Sequence, residues 1–249
     1  MPNSYFQFKQ FTIHQDRCAM KVTTDACLFG SLTPTIPASG DKFFSEGGVT
    51  KVLDIGTGTG LLALMYAQKN SNAFIDAIEI DKDASDQASE NVAASPWKER
   101  IAVINSDART YNFTKKYDLI VSNPPFYENE LKSLKKEKNI AHHSEELSLA
   151  ELFEIIKNNL DPAGHFFLLL PYKRLVESTF LCVRNHLEIN YATMVRQSPK
   201  HDISRTILRG KHQDNISNDY FKTEFVIQDE NQEYTPEFVD LLKDFYLAL

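Results

Sequence analysis

Long apolar runs, metal-ligand cysteines, internal repeats and a net positive charge are all missing from this chain of 249 residues. No apolar run approaches the roughly 18–20 residues that cross a bilayer as a helix, so no membrane association is expected. Met1 to Gln10 is polar and aromatic and lacks the basic–apolar–small order of a secretory leader, which predicts a cytoplasmic protein. Cys18, Cys27 and Cys182 are an odd number at no metal-ligand spacing, so buried free thiols are expected and no metal site. The formal net charge of −7 argues against general affinity for nucleic acid. The charge is uneven, however: His165 to His212 holds eight Lys/Arg against three acids, and Gln213 to Leu249 nine acids against two lysines. Local field, not total charge, steers an RNA.

What is present reads as an ordinary cored protein, with 42% hydrophobic and 24% charged residues and a length suited to one large α/β domain. Thr33 to Gly48, with Pro34, Pro37, Gly40, Gly47 and Gly48, reads as a loop separating an arm, residues 1–50, from a main domain, residues 51–249. The arm and the tail are expected to pack on that one domain. Strands are predicted at Lys51–Ile55, Phe74–Ile80, Ile101–Asn105, Tyr117–Ser122 and His165–Leu170. Helices are predicted at Leu61–Gln68, Asp83–Ala94 and Leu149–Asn159. Strands that alternate with helices and are apolar on both faces imply a parallel sheet covered on both sides. After Pro171 a helix at Arg174–Arg184 is followed by strands at Asn190–Arg196, Arg205–Arg209 and Thr223–Gln228 with little helix between them, which suggests an antiparallel edge. Pro236 to Leu247 is amphipathic, with proline at its start as a helix prefers.

The first strand runs into Asp54-Ile55-Gly56-Thr57-Gly58-Thr59-Gly60. A dinucleotide loop would place its third glycine at Leu61, and a phosphate loop would continue with Gly-Lys-Ser/Thr, so both templates fail. Closely spaced glycines let a ligand approach the backbone. Asp54 beside them would repel a pyrophosphate and suit an ammonium or a sulfonium. Glu79 ends the second strand, where a carboxylate can take both ribose hydroxyls, and Asp107 follows the third, where it can accept from an adenine amine. Sugar, base and positive charge together describe S-adenosylmethionine.

The fourth strand leads into Asn123-Pro124-Pro125-Phe126. The exocyclic nitrogen of adenine is a poor nucleophile because its lone pair is delocalised into the ring. Two acceptors aimed at its hydrogens, the Asn123 side-chain oxygen and the Pro124 carbonyl, favour the pyramidal form that attacks. The paired prolines hold that carbonyl in one direction. Phe126 offers a face for stacking a base. The motif stands at the C-terminal end of a strand beside the glycine strand, where open α/β sheets bind ligands.

These motifs, with Phe8-Lys9-Gln10-Phe11, Asp16 to Val22, Ser95 to Arg100 and the Phe245-Tyr246-Leu247 tail, resemble the bacterial tRNA1(Val) (adenine-37-N6)-methyltransferase family. That family lies within the class I Rossmann-like methyltransferases. The resemblance implies a seven-stranded, mostly parallel sheet with a reversed last strand. It implies S-adenosylmethionine as cofactor, a tRNA partner, and N6-methylation of the adenine beside the anticodon. It further implies that the arm around Lys21, Thr24 and Asp25 covers the methionine end of the cofactor, and that Arg205 stands where the family keeps an arginine for RNA. Three positions depart from the family: Thr23-Thr24-Asp25 where Gly-Thr-Asp is common, Phe126 where Tyr is frequent, and His142 where an arginine is usual. The departure at His142 implies a weaker RNA contact there, or one taken over by Lys132, Lys135, Lys136 or Lys138.

Two other classes of enzyme use an Asn-Pro-Pro-aromatic motif on the same fold, with Asn-Pro-Pro-Tyr in the first. An N5-glutamine methyltransferase carries a helical domain ahead of the glycine strand, and the fifty residues before Lys51 are not helix-patterned. Many guanine-N2 RNA methyltransferases carry a second, degenerate domain. A non-catalytic scaffold should have lost Asn123 or an acid of the cofactor site, and none is lost. Nothing in the sequence predicts an oligomeric state.

Overall fold

A computed structural model describes residues 3–33, 50–125, 147–213 and 220–249. Phe126, Lys132, Lys135, Lys136, Lys138, His142 and His143 lie outside the described residues. The arm opens with a hairpin of β1 (Tyr5–Gln7) and β2 (Thr12–His14), followed by helix α1 (Thr24–Leu32). Then come β3 (Thr50–Ile55), α2 (Leu61–Lys69), β4 (Ala73–Glu79), α3 (Lys82–Ala93), β5 (Ile101–Asn105) and β6 (Tyr117–Ser122). The second half holds α4 (Leu149–Asn159), β7 (Leu160–Pro171), α5 (Leu175–Arg184), β8 (Leu187–Arg196), β9 (Ile203–His212), β10 (Phe221–Val226) and α6 (Pro236–Leu242).

The main sheet runs β10-β8-β9-β7-β6-β3-β4-β5. Among the described residues it has eight strands, one more than the family pattern implies, because β10 adds itself in parallel outside β8. The reversed strand is β9, antiparallel to both β7 and β8, so it stands third from the edge. Successive side chains of a strand point to opposite faces. Both faces are buried here. Leu119 and Val121 of β6 and Phe167 and Leu169 of β7 join α1, α2, α6 and the arm in one core. Ile120, Phe166, Leu168 and Leu170 join α4 and α5 in the other. That two-sided burial is why these strands read as unbroken apolar runs.

Helix starts follow their chemistry. Asp81 caps α3, its carboxylate accepting from Ala84 N at 2.8 Å. Ser148 and Glu151 form a reciprocal capping box on α4. Thr235 caps α6, with Pro236 in its first turn. The tail helix stops at Leu242, short of the expected Leu247, because the backbone beyond it pairs with the arm. Lys9 N donates to Phe245 O at 2.8 Å, and Phe8 bridges Tyr246. The arm also contains helix α1, where no helix was expected. Ala26 to Ser31 are all buried, so α1 has no polar face and hence no helical periodicity to read.

Candidate functional site

The strand register brings four segments to one edge. Ile55 lies beside Ile78 and Ser122, and Ile78 beside Ile104. The chain therefore leaves β3, β4, β5 and β6 at the same level, placing Gly56–Gly60, Glu79, Asp107 and Asn123–Pro125 along the C-terminal ends of the strands. Ser122 Oγ donates to Ile55 O at 2.7 Å and fixes β6 to β3 one residue before both motifs begin.

Gly56, Gly58 and Gly60 have φ of +71°, +56° and +83°, a region that side chains disfavour. A Cβ on Gly56 or Gly58 would meet nothing within 4 Å, so their outer sides form an open cradle. Glu79 closes one side of it. Its Oε2 accepts from Gly58 N at 2.9 Å and its Oε1 from Asp81 N at 3.0 Å. Asp54 lies beneath the loop at 0% exposure and accepts from Thr57 Oγ1 at 2.6 Å through Oδ2. Its Oδ1 is buried without a hydrogen-bond partner. Burial, reinforced by the Glu79 carboxylate, pushes the Asp54 acid up to about 7.

Asp107 is gripped by Arg109, whose Nε lies 2.9 Å from each carboxylate oxygen and whose Nη2 lies 2.7 Å from Oδ2. The guanidinium holds the Asp107 carboxyl below its ordinary range. Arg109 also reaches Glu151 of the α4 capping box, at 3.7 Å. Asn123 is half-buried, Pro124 buried and Pro125 exposed.

The arm forms the other wall. Asn91 of α3, 1% exposed, accepts from His14 N at 2.9 Å and donates to His14 O at 2.8 Å and to Thr59 O at 2.9 Å. One amide thus ties the arm to the glycine loop. One turn earlier, Gln87 Oε1 accepts from Arg17 N at 3.2 Å. Beyond this fastening Cys18 enters the field of Glu79 and Asp81. Burial, with those carboxylates adding to it, lifts its thiol to about 11. Lys21 folds back onto the arm, donating to Cys18 O at 3.0 Å and to Gln15 O. Thr24 opens α1, and Asp25 in its first turn accepts from Ala26 N at 3.0 Å and from Thr23 Oγ1. Arg205 Nε lies 3.0 Å from Asp25 Oδ2, so this arginine is engaged with the arm.

Other members of the basic stretch are engaged as well. Arg174 pairs with Glu177, Arg196 with Glu224 and Lys211 with Glu188, while Arg209 is buried and donates to Asn190. Lys173, Arg184 and Lys200 are exposed. The charge excess of this segment is therefore largely answered within the fold. Among the described residues no group of three His, Cys, Asp or Glu could hold a metal, and no helix is long and apolar enough to cross a membrane.

Reading the sequence missed Asn91, Gln87 and Arg109. Gln87 and Asn91 sit four apart on the inner face of α3, beside Ala84 and Ala88, where an ordinary helix would carry larger apolar groups. Arg109 stands two residues after an acid already singled out.

Among the described residues the acids Asp25, Glu79, Asp81 and Asp107 line this edge; Arg205 answers Asp25 and Arg109 answers Asp107, which leaves Glu79 and Asp81 beside the glycine cradle as an environment for a cation. Comparison with known proteins agrees. Residues 42–184 match the model of the methyltransferase small domain family. A tRNA1(Val) (adenine(37)-N6)-methyltransferase of Cytophaga hutchinsonii is 40% identical over the whole of both chains. One of Dyadobacter fermentans is 38% identical over 98% of each. Among solved structures, a predicted O-methyltransferase from Agrobacterium tumefaciens superimposes with a TM-score of 0.62 at 15% identity, covering 88% of this chain and 96% of that one. By full-length likeness to such relatives, this chain belongs to the tRNA1(Val) (adenine(37)-N6)-methyltransferase family.

Proposed function

We propose that this protein is an S-adenosylmethionine-dependent methyltransferase acting on N6 of adenine 37 in the valine tRNA of its host, in the cytoplasm. The observation that carries the reading is the register that sets the glycine cradle and Asn123-Pro124 at the same level on adjacent strands.

The residues fit the cofactor. The cradle at Gly56 and Gly58 accepts a ligand where a side chain would stand. The Glu79 and Asp81 carboxylates beside the cradle favour a positive charge. In this reading Glu79 holds the ribose hydroxyls, Asp107 takes the adenine amine, and Lys21, Thr24 and Asp25 cover the methionine end. Arg205 serves by orienting Asp25. The cofactor supplies an electrophilic methyl carbon on a sulfonium. Asn123 Oδ1 and the Pro124 carbonyl accept from the amine of the target adenine and turn its lone pair outward, and Phe126 stacks the base. No strong base is needed, since the methylated nitrogen is acidic and sheds its proton to water. Lys135, Lys136, His142 and the exposed Lys200 are assigned to the RNA backbone. Arm and main body act as one domain, the arm being the cofactor wall.

The test is methyl transfer from labelled cofactor to purified tRNA, before and after adenine 37 is replaced by another base, with the product identified by nucleoside mass spectrometry. Incorporation as N6-methyladenosine only into the unreplaced tRNA is expected. Equal incorporation into both would sink the substrate assignment, and labelled glutamine or N2-methylguanosine would redirect it.

A further inference from the structure

Helix α5 turns Ser178, Leu181 and Cys182 to the sheet. Its outer side is apolar too: Val176 is 81%, Phe180 66% and Val183 60% exposed. Spacings of four and three residues align them in one stripe. At 3.6 residues per turn, the valines fall roughly 50° to one side of Phe180, and Glu177 and Arg184 roughly 50° to the other. We propose that this face is a homodimer interface, with the α5 of a second copy running antiparallel across a two-fold axis at Phe180.

The pattern is self-complementary. An antiparallel two-fold pair sets like sides together. Val176 then meets the partner's Val183, Phe180 meets the partner's Phe180, and Glu177 meets the partner's Arg184, each contact occurring twice. Glu177 already binds Arg174 at 3.1 Å, and a carboxylate has acceptor sites for both. The helix descends from the site end of β7 to the start of β8, so the pairing leaves the strand ends open to a large substrate. One helix pair is smaller than the roughly 1,200–2,000 Å² of stable complexes, so weak association is expected, with a dissociation constant on the order of tens to hundreds of micromolar.

Sedimentation equilibrium of the full chain, from low micromolar to several hundred micromolar, tests this. The apparent mass should rise from monomer toward dimer, and Phe180→Asp should hold it at monomer. Arg184→Glu and Glu177→Arg should each weaken association about tenfold, because each places like charges together twice. The double variant Glu177→Arg/Arg184→Glu should recover it to within about threefold. These positions are exposed, so thermal melting should report intact folds, and the charge swap decides should Phe180→Asp fail to fold. A monomer at every concentration, a dimer that survives Phe180→Asp, or single-variant losses that the double variant does not repair would each overturn the proposal. So would a wild-type monomer whose tRNA affinity falls in Phe180→Asp, which would give this face to the RNA.

Discussion

Replacing Asn91 by alanine should be the most costly polar substitution on α3, and the cost can be worked bond by bond. The amide makes three hydrogen bonds, at 2.9, 2.8 and 2.9 Å, all to backbone groups. A net contribution near 1 kcal/mol each gives about 3 kcal/mol, or a fall in melting temperature of roughly 6–12 °C in a chain this long. Gln87 makes one such bond at 3.2 Å, so Gln87→Ala should cost about 1 kcal/mol. Asn91→Asp sharpens the comparison. It keeps an acceptor for His14 N–H, yet turns acceptor oxygen toward two carbonyls in a buried place, so it should destabilise at least as much as alanine. Because the same amide holds arm and glycine loop together, cofactor affinity should fall by up to about a hundredfold in Asn91→Ala, the equivalent of the same 3 kcal/mol. Differential scanning fluorimetry and titration calorimetry with S-adenosylhomocysteine read the two effects. A melting shift under about 2 °C, or losses no greater than those of Gln87→Ala, would show that the amide is not what fastens the arm.

Four further outcomes are expected. Glu79→Ala removes the acceptor for Gly58 N and Asp81 N and should weaken cofactor binding by about 1.5–3 kcal/mol in calorimetry, with unchanged affinity placing the ribose elsewhere. Asn123→Ala should bind cofactor normally and lose two or more orders of magnitude in single-turnover rate, roughly the effect of losing one oriented transition-state partner; a near-normal rate would refute the proposed amine geometry. An acid raised in the folded state stabilises below its unfolded pKa and loses that contribution as pH rises through the folded value. The stability of the wild type relative to Asp54→Asn should therefore decline between pH ~4 and about 7, by at most about 4 kcal/mol, and parallel melting curves across that range would show that Asp54 is not neutral when buried. Arg205→Ala should raise KM for the cofactor through the freed Asp25, with little change in the salt dependence of tRNA binding. A salt slope reduced by about one would return Arg205 to the RNA backbone.

The central sheet was legible because its inner strands are buried on both faces and α3 and α4 on one, so composition and period coincide with architecture there; α2, buried all round, was marked instead by the glycine turn before it and the strand after it. Only the ends escaped. Helix α1 is buried all round and carries no period, and the short hairpin β1–β2 takes its shape from packing against Tyr246 and Trp97, contacts far away in the chain. In the site, acids and glycines at strand ends could be found because position alone gives them meaning. The partners that aim them could not: whether Arg109 turns to Asp107, or Arg205 to Asp25 across 180 residues, depends on side-chain geometry that no spacing encodes.

The arm rests on the far end of the chain. Phe8 bridges Tyr246, Lys9 N bonds Phe245 O, and the Lys9 amine reaches the carbonyl oxygen of Leu249 at 2.8 Å. The strands that carry the glycine cradle and the Asn-Pro-Pro turn can pair once residue 122 is made, and the arm can then dock on α3, but its contacts with Phe245, Tyr246 and Leu249 join residues up to 240 apart. The sheet thus closes early through neighbouring elements, and the seat of the arm is completed late, through the contacts of longest sequence separation in the fold, which makes it the slow step of folding.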